Sequence, residues 1–234
     1  MSVADNIARV RERIAAATPR AGRKPEDISL MAVTKTVPPD PIREAYHAGI
    51  RLFGENRVRD FADKAEFLRD LAGAEWHMIG HLQTNKTAKA AEYFAAVDSV
   101  DSLRLAHKLN ASAQLFEKKM MVLLEVNLAG ELAKSGVAPD SRELEDILQA
   151  APQLQHLEIR GLMAIPPLTE DPQQARPYFQ KLRQLRDQIA ARKLPAVRME
   201  VLSMGMSHDF EVAIEEGATC VRVGTAIFGE RLRP

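Results

Sequence analysis

Cysteine is nearly absent from this chain, with Cys220 standing alone. One thiol excludes an intramolecular disulfide framework and a multi-cysteine metal cluster, and it suits a reducing, cytoplasmic compartment. Charge of one sign is missing too. The 32 Lys+Arg are matched by 32 Asp+Glu, so no global field draws the chain to nucleic acid or to an anionic membrane. Long apolar runs are lacking, and no stretch approaches the roughly 18 residues that a membrane helix needs. Residues 1–17 hold no continuous apolar segment of the secretory kind, and Asp5 and Glu12 argue against a transit peptide. Ile7, Val10 and Ile14 there are spaced as the buried stripe of an N-terminal helix at about 2–17. No repeat, linker or low-complexity block divides the 234 residues, so residues 1–234 are expected to form one soluble domain.

Short β-favouring runs alternate with longer helical patterns. The strand candidates are 28–34, 52–54, 76–79, 94–98, 121–127, 158–163, 199–202 and 219–223. They are continuous apolar runs, as expected of parallel strands covered on both faces. Among the helices, 172–192 has Asp171 as N-cap, Pro172 at the first position and a stripe of Phe179, Leu182, Leu185 and Ile189. Another is expected over 207–216, starting on Ser207 and ending before Gly217. Eight such units point to a (β/α)8 TIM barrel. The rival open doubly wound sheet lacks a G-x-G-x-x-G turn after the first strand.

In such a barrel, chemistry gathers where strands end and βα loops begin. Those positions hold Lys35, then Gly54-Glu55-Asn56, Gly80-His81, Asn127, Ser203 to Ser207, and Gly224-Thr225. A lysine at a strand end is most often a solvated cap, but a desolvated amine there can attack a carbonyl. Small residues after strands seven and eight let backbone N–H groups approach a phosphate, or simply make ordinary turns. Arg222 alternates with Cys220 and Gly224. If that face is the interior, the guanidinium needs an acceptor, and otherwise it snorkels between helices. His77 and His81 lack a carboxylate at ligand spacing, so zinc is not expected. Glu55 reads as an exposed loop residue sooner than a general base. Cys220 reads as a small buried hydrophobe, Trp76 as packing on a helix, and 86–89 as a solvated helix face.

Seven ordered blocks carry a resemblance. They are Ala32-Val33-Thr34-Lys35-Thr36, Phe53-Gly54-Glu55-Asn56, residues 76–86 (WHMIGHLQTNK), Lys134-Ser135-Gly136, residues 160–166 (RGLMAIP), residues 202–207 (LSMGMS) and residues 222–229 (RVGTAIFG). Together they resemble the pyridoxal phosphate homeostasis protein family, single-domain relatives of the alanine racemase barrel, from about Ile28 to Arg231. The resemblance implies that Lys35 holds pyridoxal 5′-phosphate (PLP) as a Schiff base. It implies that Ser207, Gly224 and Thr225 bind the phosphate, that Arg222 faces the pyridine nitrogen and that Asn56 lines the pocket. A cation beside that nitrogen disfavours its protonation and weakens the ring as an electron sink. Such a site suits a carrier that buffers PLP or delivers it to PLP-dependent apo-enzymes. The alternative is a PLP-dependent amino acid racemase. That would need a second base and a further domain, for which the 12 residues after Arg222 are too few. A cofactor-free Schiff-base aldolase would leave Arg222 unexplained. A non-catalytic monomer or weak dimer, with no metal, is the resulting expectation.

Overall fold

The computed structural model describes residues 2–131 and 135–229. Lys134 and the stretch 231–234, on which the sequence reading touched, lie outside the described residues.

Eight parallel strands close on themselves: β1 (Ser29–Val33), β2 (Leu52–Glu55), β3 (Glu75–Met78), β4 (Ala96–Val100), β5 (Met120–Glu125), β6 (Leu157–Met163), β7 (Val197–Met206) and β8 (Cys220–Val223). The seam joins β8 to β1, with Leu30 opposite Val221 and Met31 opposite Arg222. Around the barrel run α1 (Val3–Ala17), α2 (Pro39–His47), α3 (Val58–Ala65), α4 (Thr87–Tyr93), α5 (Leu103–Leu115), α6 (Arg142–Ala150), α7 (Arg176–Ala191), α8 (Phe210–Glu215) and the single turn α9 (Thr225–Phe228). This is the (β/α)8 TIM barrel that the strand count foretold.

Strand alternation sorts the apolar residues into two layers. Met31, Val33, Ile79 and Cys220 meet inside the barrel. Their neighbours in sequence, such as Ala32, Met78 and Val221, face the helices and join the larger core. Trp76 does pack against a helix: its ring lies 4.7 Å from Phe61 of α3 and 4.6 Å from Phe53. The N-terminal helix is capped by Ser2 and buries Ile7, Val10 and Ile14 as expected. It also braces the other end of the chain. Asn6 donates to Ile227 O at 2.7 Å, and Arg13 pairs with Glu211 at 2.6 Å while covering the Phe210 ring.

Several boundaries differ from the sequence reading, each for a local reason. Phe94 does not open β4: its N–H closes α4 on Ala90 O at 2.9 Å, and its ring packs on Phe61 at 5.1 Å. The segment Pro172–Ala175 is a 3-10 turn capped by Asp171, and the α-helix begins at Arg176. Pro177 has no N–H to give Gln173 O, so an α-helical turn cannot run through that point. The β5 strand ends at Glu125 instead of Asn127. Ser207 does not cap α8. The β7 strand runs on to Met206, and α8 starts at Phe210 with Asp209 before it. Its C-terminal end follows the sequence reading. Gly217 adopts φ +99, with Gly217 N–H on Ile214 O and Ala218 N–H on Ala213 O, a Schellman motif.

Candidate functional site

The polar residues singled out in sequence stand around the C-terminal mouth of the barrel. Lys35 stands two residues beyond the end of β1 and is half-buried. It is the second residue of a four-residue turn closed by Val37 N–H on Thr34 O at 2.9 Å. Thr36, the third residue, has φ +64, the left-handed value that this turn type demands at that place. Gly224 lies across the seam: a Cβ there would sit 3.5 Å from both Cβ and O of Val33. The seam therefore brings Lys35 and the Gly224-Thr225 turn to one side of the mouth.

Arg222 points into the barrel and is 3% exposed. The interior reading of its face holds, and the acceptors that face required are present. Nη1 donates to Ser203 Oγ at 2.8 Å and Nη2 to Ala164 O at 2.9 Å. Burial pulls the guanidinium below its ordinary value, while the charges of Asp98, Glu125 and Asp209 act the other way. Guanidinium remains protonated under such opposition. Cys220, one layer below, has its thiol pushed up to about 12 by burial. A thiol held protonated in this way is an inert packing group.

Ser207 is half-buried on the loop after β7. Its hydroxyl accepts from Ala226 N–H at 3.3 Å, and its carbonyl accepts from Arg13 Nη2 at 3.4 Å. That places it beside the first turn of α9, so Ser207 lies next to Gly224 and Thr225. The neighbouring Asp209 fixes this loop by accepting Met206 N–H at 2.6 Å. Its burial raises the carboxyl above its usual range. Asn56 follows β2 and is half-buried. Its position depends on Gly80, where a Cβ would lie 2.3 Å from Asn56 O.

Sequence reasoning named His77 and His81 but missed their carboxylate partners, and it missed Glu125. His77 and Asp98 are buried partners on adjacent strands, Nδ1 to Oδ1 at 3.0 Å. Glu125 ends β5 with Ser135 Oγ donating to Oε1 at 3.0 Å, and burial raises its carboxyl. His81 meets Asp101 at 3.2 Å on the rim. Strand alternation alone could have turned Asp98 and Glu125 inward, but it does not show that His77 and Ser135 meet them. Glu55 requires correction. It is fully buried between the sheet and α3, paired with Lys64 at 2.7 Å, and is neither an exposed loop residue nor open to a ligand. No group of three or more metal-ligating side chains occurs among the described residues, and no described helix is long and apolar enough to cross a membrane.

The mouth combines an amine, a buried guanidinium and a small-residue edge rich in backbone donors. That set fits an aldehyde carrying a ring and a phosphate. The model of the alanine racemase N-terminal domain matches residues 3–232. A pyridoxal phosphate homeostasis protein of Aquifex aeolicus is 46% identical over 231 residues, 99% of each chain. One from Escherichia coli K12 is 43% identical over 232 residues, 98% of this chain and 97% of its own. In structure, PipY of Synechococcus elongatus with PLP bound superposes with a TM-score of 0.84 at 37% identity, over 97% of this chain and 100% of its own. With this barrel, these blocks in order and this similarity from end to end, the chain belongs to the pyridoxal phosphate homeostasis protein family.

Proposed function

We propose that this protein binds PLP at the C-terminal mouth of its barrel and serves intracellular PLP homeostasis, buffering the cofactor or delivering it. The observation that carries this reading is the convergence of Lys35, Arg222, Ser207, Gly224 and Thr225 on one rim. It is supported by full-length similarity to relatives named for that role and to a structure with PLP bound. Bound PLP would supply an aldehyde that condenses reversibly with a primary amine. Lys35 would provide the amine. Ser207 Oγ and the backbone at Gly224 and Thr225 would hold the phosphate through localised donors, as suits a chain with formal net charge +0. Arg222 would face the ring nitrogen as a fixed cation, and Asn56 would border the ring. In this reading residues 1–234 act as one cytoplasmic, non-catalytic domain, a monomer or weak dimer whose recipients are PLP-dependent apo-enzymes.

Borohydride reduction of PLP-loaded protein followed by peptide mass analysis is expected to find the pyridoxyl group on Lys35. Lys35→Ala is expected to abolish the visible absorbance of the bound cofactor while the protein still melts cooperatively. Unchanged absorbance in that variant would place the cofactor elsewhere.

One observation favours a second reading, an amino acid racemase. Glu125 ends β5, four strands from β1 in either direction around the barrel, and so stands across the mouth from Lys35. Single-enantiomer amino acids incubated with the loaded protein in deuterium oxide decide between them. No exchange at the α-carbon is expected of a carrier.

A further inference from the structure

Lys64 and Glu55 take no part in the ligand site as described, yet both are buried. Lys64 stands in the last turn of α3 and is 7% exposed, and Glu55 is 0% exposed. Lys64 Nζ lies 2.7 Å from Glu55 Oε1, 2.8 Å from Thr34 O and 3.2 Å from Val37 O. An ammonium has three N–H donors, so these three acceptors use them all. Thr34 and Val37 are the first and last residues of the turn that carries Lys35. The Thr34 hydroxyl donates to the same Glu55 oxygen. One buried cation therefore grips both ends of a turn whose third residue, Thr36, is in a left-handed conformation that β-branched residues avoid.

A buried ion pair is weak support for stability by itself, because apolar residues of equal volume often serve as well. What this pair does that apolar residues could not is hold two turn carbonyls. Without that grip, the ends of the turn are free to shift, and the turn can rearrange to a form in which Thr36 no longer needs a positive φ. Lys35, the second residue of that turn, would then move with it. We infer that the Glu55–Lys64 pair is a positioning device that holds the Lys35 turn in its strained form. The inference rests on the reading of Lys35 as the residue that takes the cofactor.

The test uses Lys64→Met combined with Glu55→Gln, so that no buried charge is orphaned. Two quantities are read: PLP retention by visible absorbance, and the rate of Lys35 acetylation by acetic anhydride in PLP-free protein, measured by mass spectrometry against Lys181, an exposed lysine of α7. Loss of the grip is expected to weaken PLP retention by about tenfold or more and to change the Lys35 acetylation rate, since small misplacements of a reacting group are costly. Thr36→Gly supplies the second arm. Glycine adopts a positive φ without strain, so in that background removing Lys64 and Glu55 is expected to leave both readouts near the values of Thr36→Gly alone. A pair that merely stabilised the fold would show no such rescue. If the double variant folds and both quantities stay within about twofold of the parent, the inference is overturned. Should the double variant fail to fold, Thr36→Gly must restore folding, and failure to do so overturns it equally. A pyridoxyl group found on another lysine would refute the Lys35 reading, while the acetylation arm still judges the turn.

Discussion

A guanidinium shut inside a barrel cannot shed its charge, so Arg222 has to be met by oxygen. Ser203 Oγ and Ala164 O meet it. Arg222→Met is expected to leave both without a donor, at about 1–3 kcal/mol for each abandoned group. Urea unfolding checks this. Arg222→Lys is expected to recover only part of the loss, because one ammonium cannot reproduce the span of a planar fork. The need for an acceptor could be seen in the sequence, since Arg222 alternates with Cys220 and Gly224 along an apolar strand. The acceptor could not, because Ala164 is 58 residues away. Glu55 escapes the sequence for a different reason: its partner Lys64 is near in sequence, but only the packing of α3 onto β2 shows that both are dry.

Among the elements, β6 leaves no room for a side chain at Gly161, where a Cβ would come 1.9 Å from Val201 O of β7. Backbone cannot yield there as a flexible side chain could. Gly161→Ala is expected to cost the upper end of about 1–3 kcal/mol or beyond, lowering the melting temperature by roughly 6–12 °C. Gly22→Ala is the control. That glycine has φ +64 and nothing within 4 Å of a new Cβ, so only conformational strain is expected, about 1 kcal/mol. Existence and order of the elements were legible, because continuous apolar runs and helical stripes differ in period. Their ends were less so. Ser207 looked like an N-cap because serine caps helices, but the Ser207 hydroxyl is engaged by Ala226 N–H from a different βα unit. Competition of that kind is decided by tertiary structure and leaves no local trace.

Over the whole molecule, the buried titratable groups tilt the pH dependence of stability. Burial raises Glu55, Glu125 and Asp209. Burial lowers His77, but the charge and hydrogen bond of Asp98, with the charge of Glu75, outweigh it and the net shift is upward. For each of these groups the folded state binds its proton more tightly than the unfolded chain does. Their stabilising contribution is therefore full below the unfolded value and is lost as pH rises through the folded one. His77→Gln isolates one of them. Wild type should exceed the variant most below pH 6.5, the unfolded histidine value, with the gap narrowing as pH climbs above it. Urea midpoints from roughly pH 5.5 to 8.5 measure this window. A gap that widened with pH would refute the assignment.

The seam between β1 and β8 also sets a timetable. Lys35 leaves the ribosome at least 187 residues ahead of Arg222, Gly224 and Thr225. The strands bearing them pair directly, so a nascent chain holds the amine long before it has anything to place beside it. Pairings of such sequence separation form slowly. Until β8 docks, the lysine is one ordinary amine among many, so on the proposed reading selective capture of an aldehyde would begin only once the last strand of the barrel has been made.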